Sequence, residues 1–410
     1  MEPEQQPNNS VVVVMVPLTA QSHLNKLLQF AKIISSRGVP VYYMGSTMHN
    51  RQAKDRVHGW DPSTISNIHF HDCQLQLPQV ITPHHDLYFS KMFPLHLLPI
   101  LIQLREPLSS LLRSLSATAR RVVVVHDSLM SFAAEEASLI SNVEAYYCFH
   151  CVSVFALLYL QWEAFGKPID QGLQGGDIIP RDLPRVSFEG CFPEDFSEYA
   201  AQNIQWSMLD VGNIYNSCYA IEGRFLDLMA QHQSDKMLWA IGPTNPVAFD
   251  SSAGVHHKCL EWLDKQPQSS VVYVSFGTTT SLSDAQIATD GLDICNDEVI
   301  KQRFIWVLRD ATDGLDICND EVIKAQLPNG FEERTKRVGM IVREWAPQLQ
   351  ILAHSSTGGF LSHCGWNSCM ESLSMGVPIA AWPMHSDQPR NTMLVTEVLK
   401  VGLVVLKSLI

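Results

Sequence analysis

The chain is short of long apolar runs, of positive charge and of clustered cysteine, and each shortage removes a class of protein. The apolar run Val11 to Val16 is far shorter than the roughly 20 residues a membrane-spanning helix needs. Val152 to Leu160 is also short and is bounded by Gln161 and Glu163. Met1 to Ser10 is polar and lacks the basic start of a secretory leader. Lysine and arginine number 29 against 42 acidic residues, and the net charge of −13 argues against nucleic acid or an anionic membrane as the main partner. The 10 cysteines are scattered through a long chain, as reduced thiols are, rather than gathered into a disulfide framework. A soluble, cytoplasmic protein is expected.

What is present is an alternation of strands and helices, in a chain of 410 residues that is too long for one ordinary core. Val11 to Val16 reads as a strand, and His23 to Ser36 as a helix with Leu24, Leu27, Leu28, Ala31 and Ile34 at helical spacing. Gly38 closes that helix, and Val39 to Met44 is a second strand. Val122 to Val125, Gly212 to Asn216 and Leu238 to Ile241 read as further strands, with a helical stretch at Ser131 to Ile140. Continuous apolar strands between helices predict an α/β fold, a parallel sheet covered on both faces. Pro243 to His257, rich in Pro, Ser, Asn and Gly, is the natural linker, and Ser270 to Phe276 opens a second α/β series. The expected domains are 1–242 and 258–410, joined by 243–257.

One segment breaks the pattern. Ala288 to Lys301 recurs without change as Ala311 to Lys324. Solenoids need several diverged copies, so this is no structural repeat. The first copy stands where a crossover helix belongs, yet it carries the poor helix residues Asp290, Gly291, Asn296 and Asp297. It reads as a duplication, or a sequence-assembly fault, that overwrote a helix.

Residues 345–388 carry the densest chemistry. Gly358 to Ser362 reads as a short strand leading to His363, Gly365 to Ser368 as a turn, and Cys369 to Met375 as a helix that Gly376 stops. A helix N-terminus directly after a strand offers backbone N–H groups and the positive end of a dipole, which suits a phosphate. Asn367 and Ser368 add donors there; Trp345 offers a flat face for a base; Glu371, Asp387 and Gln388 suit sugar hydroxyls. Together these describe a nucleotide-sugar site. Ser368 to Glu371 also fits a capping box, with no ligand needed.

Near the other end of the chain, His23 and Asp127 both fall at the carboxyl ends of strands, where open α/β sheets collect ligands. At a helix start the charged form of His23 is disfavoured, which keeps it available as a base, and Asp127 is placed to hold its tautomer. Cys148-Phe-His-Cys151 reads as a reduced, partly buried thiol pair, because zinc wants four ligands. His69 and His71 share a strand face and read, like His84, His85 and His96, as surface histidines.

The run Trp345-Ala-Pro-Gln348, then His363-Cys-Gly-Trp-Asn-Ser368 with Glu371, and finally Asp387-Gln388, resembles the C-terminal signature of plant family 1 UDP-dependent glycosyltransferases. A narrower resemblance, to the zeatin O-glucosyltransferases, is carried by Met15-Val-Pro-Leu18, His23-Leu-Asn25, His49 to Lys54, Val57-His-Gly-Trp60, Val125 to Met130 and Met384 to Asn391. The resemblance implies the GT-B fold, two Rossmann-like domains facing a cleft, with further elements beyond Ile410. It implies that His23 deprotonates an acceptor hydroxyl, whose oxygen displaces UDP from glucose with inversion. Trp345 would stack on uracil, with Ala346 and Gln348 beside base and ribose and Glu371 on the ribose hydroxyls. Thr278 and His363 would meet the diphosphate, Asn367 and Ser368 a phosphate, Trp366 the back of the sugar, and Asp387 with Gln388 the glucose hydroxyls. Ser22 departs from the family's usual Gly and narrows the mouth of the site.

UDP-glucose is thus the expected co-substrate and a small lipophilic acceptor, a zeatin-type cytokinin first, the expected partner. No cofactor and no metal are expected, since no Asp-x-Asp of the metal-dependent sugar transferases occurs. A monomer is expected. The alternatives are a flavonoid or phenol acceptor with the same mechanism, or an inactive product of the duplication and a missing tail.

Overall fold

The computed structural model describes residues 8–57, 67–75, 101–164, 191–192, 196–246, 257–277, 302–308, 327 and 329–405. The repeated segments, Thr278, His84, His85 and His96 lie outside them. By packing, the chain divides into two compact units, one of residues 1–82, 95–154 and 193–245, the other of 83–94, 155–192 and 246–410.

The first unit holds a parallel sheet of seven strands: β1 (Asn8–Val16), β2 (Val41–Ser46), β3 (Ile68–Cys73), β4 (Ala119–Asp127), β5 (Val143–His150), β6 (Gly212–Tyr215) and β7 (Met237–Ala240). Their order is β3-β2-β1-β4-β5-β6-β7. The valine run of β1 is central, with Val13 opposite Val41 on one side and Val123 on the other. Helix Gln21–Ser35 covers one face through Leu24, Leu27, Leu28 and Ala31, all fully buried. Their three-and-four spacing puts them on one stripe, and each buried leucine contributes roughly 1.5–3 kcal/mol. Gly38, at φ 79°, makes the left-handed turn that releases the chain into β2.

The second unit holds a parallel sheet of six strands: β8 (Val271–Ser275), β9 (Arg303–Val307), β10 (Gly339–Val342), β11 (Thr357–Ser362), β12 (Ile379–Ala381) and β13 (Gly402–Val404). Their order is β10-β9-β8-β11-β12-β13. Tyr273, Ile305, Val342 and Phe360 form its core with Ile351 and Leu352 of helix Gln348–Ala353.

These are the two Rossmann-like sheets expected. Each reverses its winding at one place, between β1 and β4 in the first and between β8 and β11 in the second. A crevice opens outside the carboxyl ends of the strands at such a point. His23 and Asp127 follow β1 and end β4; Gly277 and His363 follow β8 and β11. Of the residues singled out in the sequence, His23, Asp127 and His363 stand at these two points.

Two local readings change. The helix expected at Cys369 begins at Trp366, with Gly365 in extended conformation as its N-cap and no side-chain cap. Ser368 and Glu371 are therefore both inside the helix and cannot form a capping box. The signal was misread because Trp and Asn are indifferent helix formers and the Gly before them looked like part of a turn. Gly376, at φ 69°, does stop the helix.

Candidate active site

In the first unit, the loop after β1 delivers Ala20 as the extended N-cap of helix Gln21–Ser35, and His23 lies in its first turn. Its Nδ1 is 2.6 Å from Oδ2 of Asp127. Asp127 is wholly buried at the end of β4, and the turn after it donates the Leu129 N–H to Oδ1 at 2.9 Å. A carboxylate only accepts, so it holds the ring proton on Nδ1 and turns the Nε2 lone pair outward. The His23 side chain is 16% exposed, enough to meet a substrate hydroxyl while remaining oriented.

A third member was not foreseen. Cys151, half of the Cys-x-x-Cys, donates its thiol to Asp127 Oδ2 at 3.7 Å. Burial, then the Asp127 charge, push this thiol well above the ordinary cysteine range, so it acts as a donor rather than a nucleophile. The only sequence signal was the paired cysteine spacing. Donor atoms of His23, Asp127 and Cys151 lie within 4.8 Å of one another, a spacing a small cation could use, though here hydrogen bonds join them. The eight described cysteines are free thiols. On β3, His69 is exposed and stacks on Tyr42, and His71 is partly exposed.

In the second unit, β11 ends in Ser362, whose Oγ accepts from Cys364 N at 3.1 Å and shapes the turn into helix Trp366–Met375. The first-turn amides of a helix have no intrahelical partner, and the loop that carries His363 leads directly into this one. His363 is buried between two glycines. A Cβ at Gly277 would lie 2.5 Å from its Nε2, and one at Gly365 2.6 Å. Burial lowers its pKa to about 4, with a backbone hydrogen bond to Ser275 opposing in part. The imidazole is thus neutral, and its buried Nδ1 has no partner among the described residues.

Side-chain hydrogen bonds link Gln348, Ser368 and Glu371. Gln348 Nε2 donates to Ser368 Oγ at 3.1 Å and to Glu371 Oε2 at 2.9 Å, while its Oε1 accepts from Tyr273 at 3.3 Å. Trp345 is partly exposed just before them, Ala346 is buried in the core, and Asn367 is partly exposed in the first turn of the helix. Trp366 is buried. Asp387 is oriented by Asn391, whose Nδ2 donates to Asp387 Oδ2 at 2.7 Å and to the Cys364 carbonyl at 3.0 Å. Asn391 was missed, although its four-residue spacing from Asp387 places the two on one helix face. Gln388 is buried, with Oε1 accepting from Met384 N at 2.8 Å and His385 N at 2.9 Å. Its oxygen therefore serves the loop, and its Nε2 lies 3.3 Å from Nδ1 of the His385 ring.

No helix among the described residues is long and apolar enough to cross a membrane. Residues 9–246 match the family described as glycosyltransferase, N-terminal domain, and residues 250–408 match that of UDP-glucoronosyl and UDP-glucosyl transferase. The chain is 48% identical to the zeatin O-glucosyltransferase of Phaseolus lunatus, over 96% of this chain and 83% of that protein. It is 46% identical to the zeatin O-xylosyltransferase of Phaseolus vulgaris, over 96% and 84%. A solved transferase from Siraitia grosvenorii in complex with UDP superimposes with a TM-score of 0.70 at 25% identity, covering 97% of this chain and 85% of that one. A tautomer-fixed histidine at one winding reversal, a phosphate-suited helix start at the other and these likenesses agree: the chain belongs to the UDP-dependent glycosyltransferases.

Proposed function

We propose that the protein transfers glucose from UDP-glucose, with inversion, to the side-chain hydroxyl of a zeatin-type cytokinin. His23 Nε2 takes the proton of the acceptor hydroxyl. The oxygen forms a bond to the anomeric carbon as the bond from that carbon to the β-phosphate oxygen breaks, and UDP leaves with the electron pair. An α-linked donor then gives a β-glucoside. Asp127 stabilises the imidazolium as it forms. The observation that carries the reading is the 2.6 Å bond between His23 and a fully buried carboxylate.

On the donor, the start of helix Trp366–Met375 favours the growing charge of the diphosphate, an effect worth about 0.3–1 kcal/mol at an exposed terminus and more when water is excluded. Thr278, His363, Asn367 and Ser368 are assigned to the diphosphate. Trp345 is assigned to the uracil, Ala346, Gln348 and Glu371 to base and ribose, Trp366 to the back of the sugar, and Asp387 with Gln388 to its hydroxyls. Lewis-acid help is not needed in this scheme, and the rate is expected to be indifferent to a chelator. A cytoplasmic monomer is the proposed working form.

The acceptor assignment rests on relatives named for zeatin O-glycosylation. Since one of them is a xylosyltransferase, UDP-xylose is the second donor reading. The test is a product assay with UDP-glucose or UDP-xylose against zeatin and a flavonol. A zeatin glucoside as the main product supports the proposal. Faster turnover of the flavonol, or no turnover by a folded sample, sinks it.

A further inference from the structure

A second histidine–aspartate pair stands beside the first and has no role in the chemistry above. His126 precedes Asp127 on β4, so its side chain emerges on the opposite face of the sheet. Its side chain and that of Asp210, which follows helix Phe196–Ser207, are both wholly buried. His126 Nε2 lies 2.7 Å from Asp210 Oδ1, and Nδ1 lies 2.9 Å from the main-chain carbonyl of Asp127. A carbonyl only accepts, so Nδ1 must carry a proton. Burial alone would push this imidazole down, but the adjoining Asp210 carboxylate outweighs it and the pKa is raised. The second oxygen of Asp210 has no partner among the described residues, so His126 is the group that anchors this carboxylate.

That same Asp127 carbonyl accepts from Met130 N at 2.8 Å, closing the turn that brings Leu129 N to Asp127 Oδ1. The backbone that His126 grips is therefore the backbone that aims the Asp127 carboxylate at His23. We propose that His126, braced by Asp210, is a positioning residue: its Nδ1–H pins the Asp127 carbonyl and fixes the angle from which the carboxylate orients His23. The proposal rests on the reading of His23 and Asp127 as base and orienting carboxylate.

The bland alternative is a buried pair that only holds β4 to the following helix. Two double variants separate these roles, and both remove the buried charges together, the change a fold tolerates best. His126→Asn with Asp210→Asn keeps an amide donor near the position of Nδ1. His126→Leu with Asp210→Leu removes it. With UDP-glucose and zeatin, the leucine variant is expected to lose about tenfold or more in kcat at unchanged KM for UDP-glucose, while the asparagine variant stays within about threefold of wild type. Equal kcat in the two variants overturns the proposal, whatever their melting temperatures. Should the leucine variant not fold, His126→Gln, which reaches Asp210 but not the carbonyl, takes its place with the same expected loss. Asp127→Asn is the reference. If it leaves kcat intact, the catalytic reading and the proposal fall together; if it lowers kcat while the donor at 126 proves irrelevant, only the proposal falls.

Discussion

An imidazole serves as a base only when its own proton is parked on the far nitrogen, and in His23 the parking place is a buried carboxylate. His23→Ala is expected to lower kcat by about a thousandfold, the middle of the range a positioned base supplies, and to leave UDP affinity within about twofold. Isothermal titration with UDP beside a turnover assay checks both halves. Weakened UDP binding with ordinary turnover would contradict the role. The histidines of the other unit behave differently. Burial lowers His363 to about 4 and His385 to about 3, the latter helped by His363. Unfolded histidine titrates near 6.5, so above that pH folded and unfolded states are both neutral and these residues contribute no pH dependence. As pH falls from 6.5 toward 4, the unfolded chain takes up protons that the folded chain refuses, and stability drops. At about 1.4 kcal/mol per unit, His363 alone accounts for a loss on the order of 3 kcal/mol by pH 4. His126, raised by Asp210, works in the opposite sense, its contribution present below 6.5 and lost above. Melting curves between pH 7 and 5 are expected to fall less steeply in His363→Gln than in wild type; parallel slopes would refute the burial argument.

At the scale of elements, the start of helix Trp366–Met375 concentrates the donor chemistry, and its neighbours leave no slack. An added methyl at Gly365 would sit 2.6 Å from the His363 ring, so Gly365→Ala must displace one or the other. Overpacking of this kind costs about 1–3 kcal/mol, and UDP affinity is expected to weaken tenfold or more, read by titration. An unchanged affinity would remove His363 from the diphosphate. How far such detail was legible in the sequence varied with its physical origin. The strands were found because a sheet covered on both faces demands unbroken apolar runs, as in Val11 to Val16. Helix Gln21–Ser35 was found because leucines at three-and-four spacing have no other use. The start of helix Trp366–Met375 was misplaced because a glycine N-cap carries no side-chain signature. Cys151 and the Asp210 partner of His126 were invisible for another reason. Their roles depend on which strand ends lie side by side, and strand order is not written in any local pattern.

At the scale of the molecule, each unit has its own core, its own parallel sheet and one reversal of winding. UDP is expected to raise the apparent melting temperature, since a ligand at a hundred times its Kd stabilises by about 2.7 kcal/mol. The shift is to be measured by calorimetry with and without zeatin, and it is expected to shrink in Gly365→Ala but persist in His23→Ala. The reverse pattern would place the nucleotide in the wrong half.

The two winding reversals have a wider consequence. Among the described residues, every group assigned to the acceptor grows from the strands of one sheet, and every group assigned to the sugar donor from the strands of the other. Inheritance of the two specificities can then be separate: a gene spliced near residue 247 with that of a xylosyl-transferring relative should keep its taste in alcohols and exchange its taste in sugars.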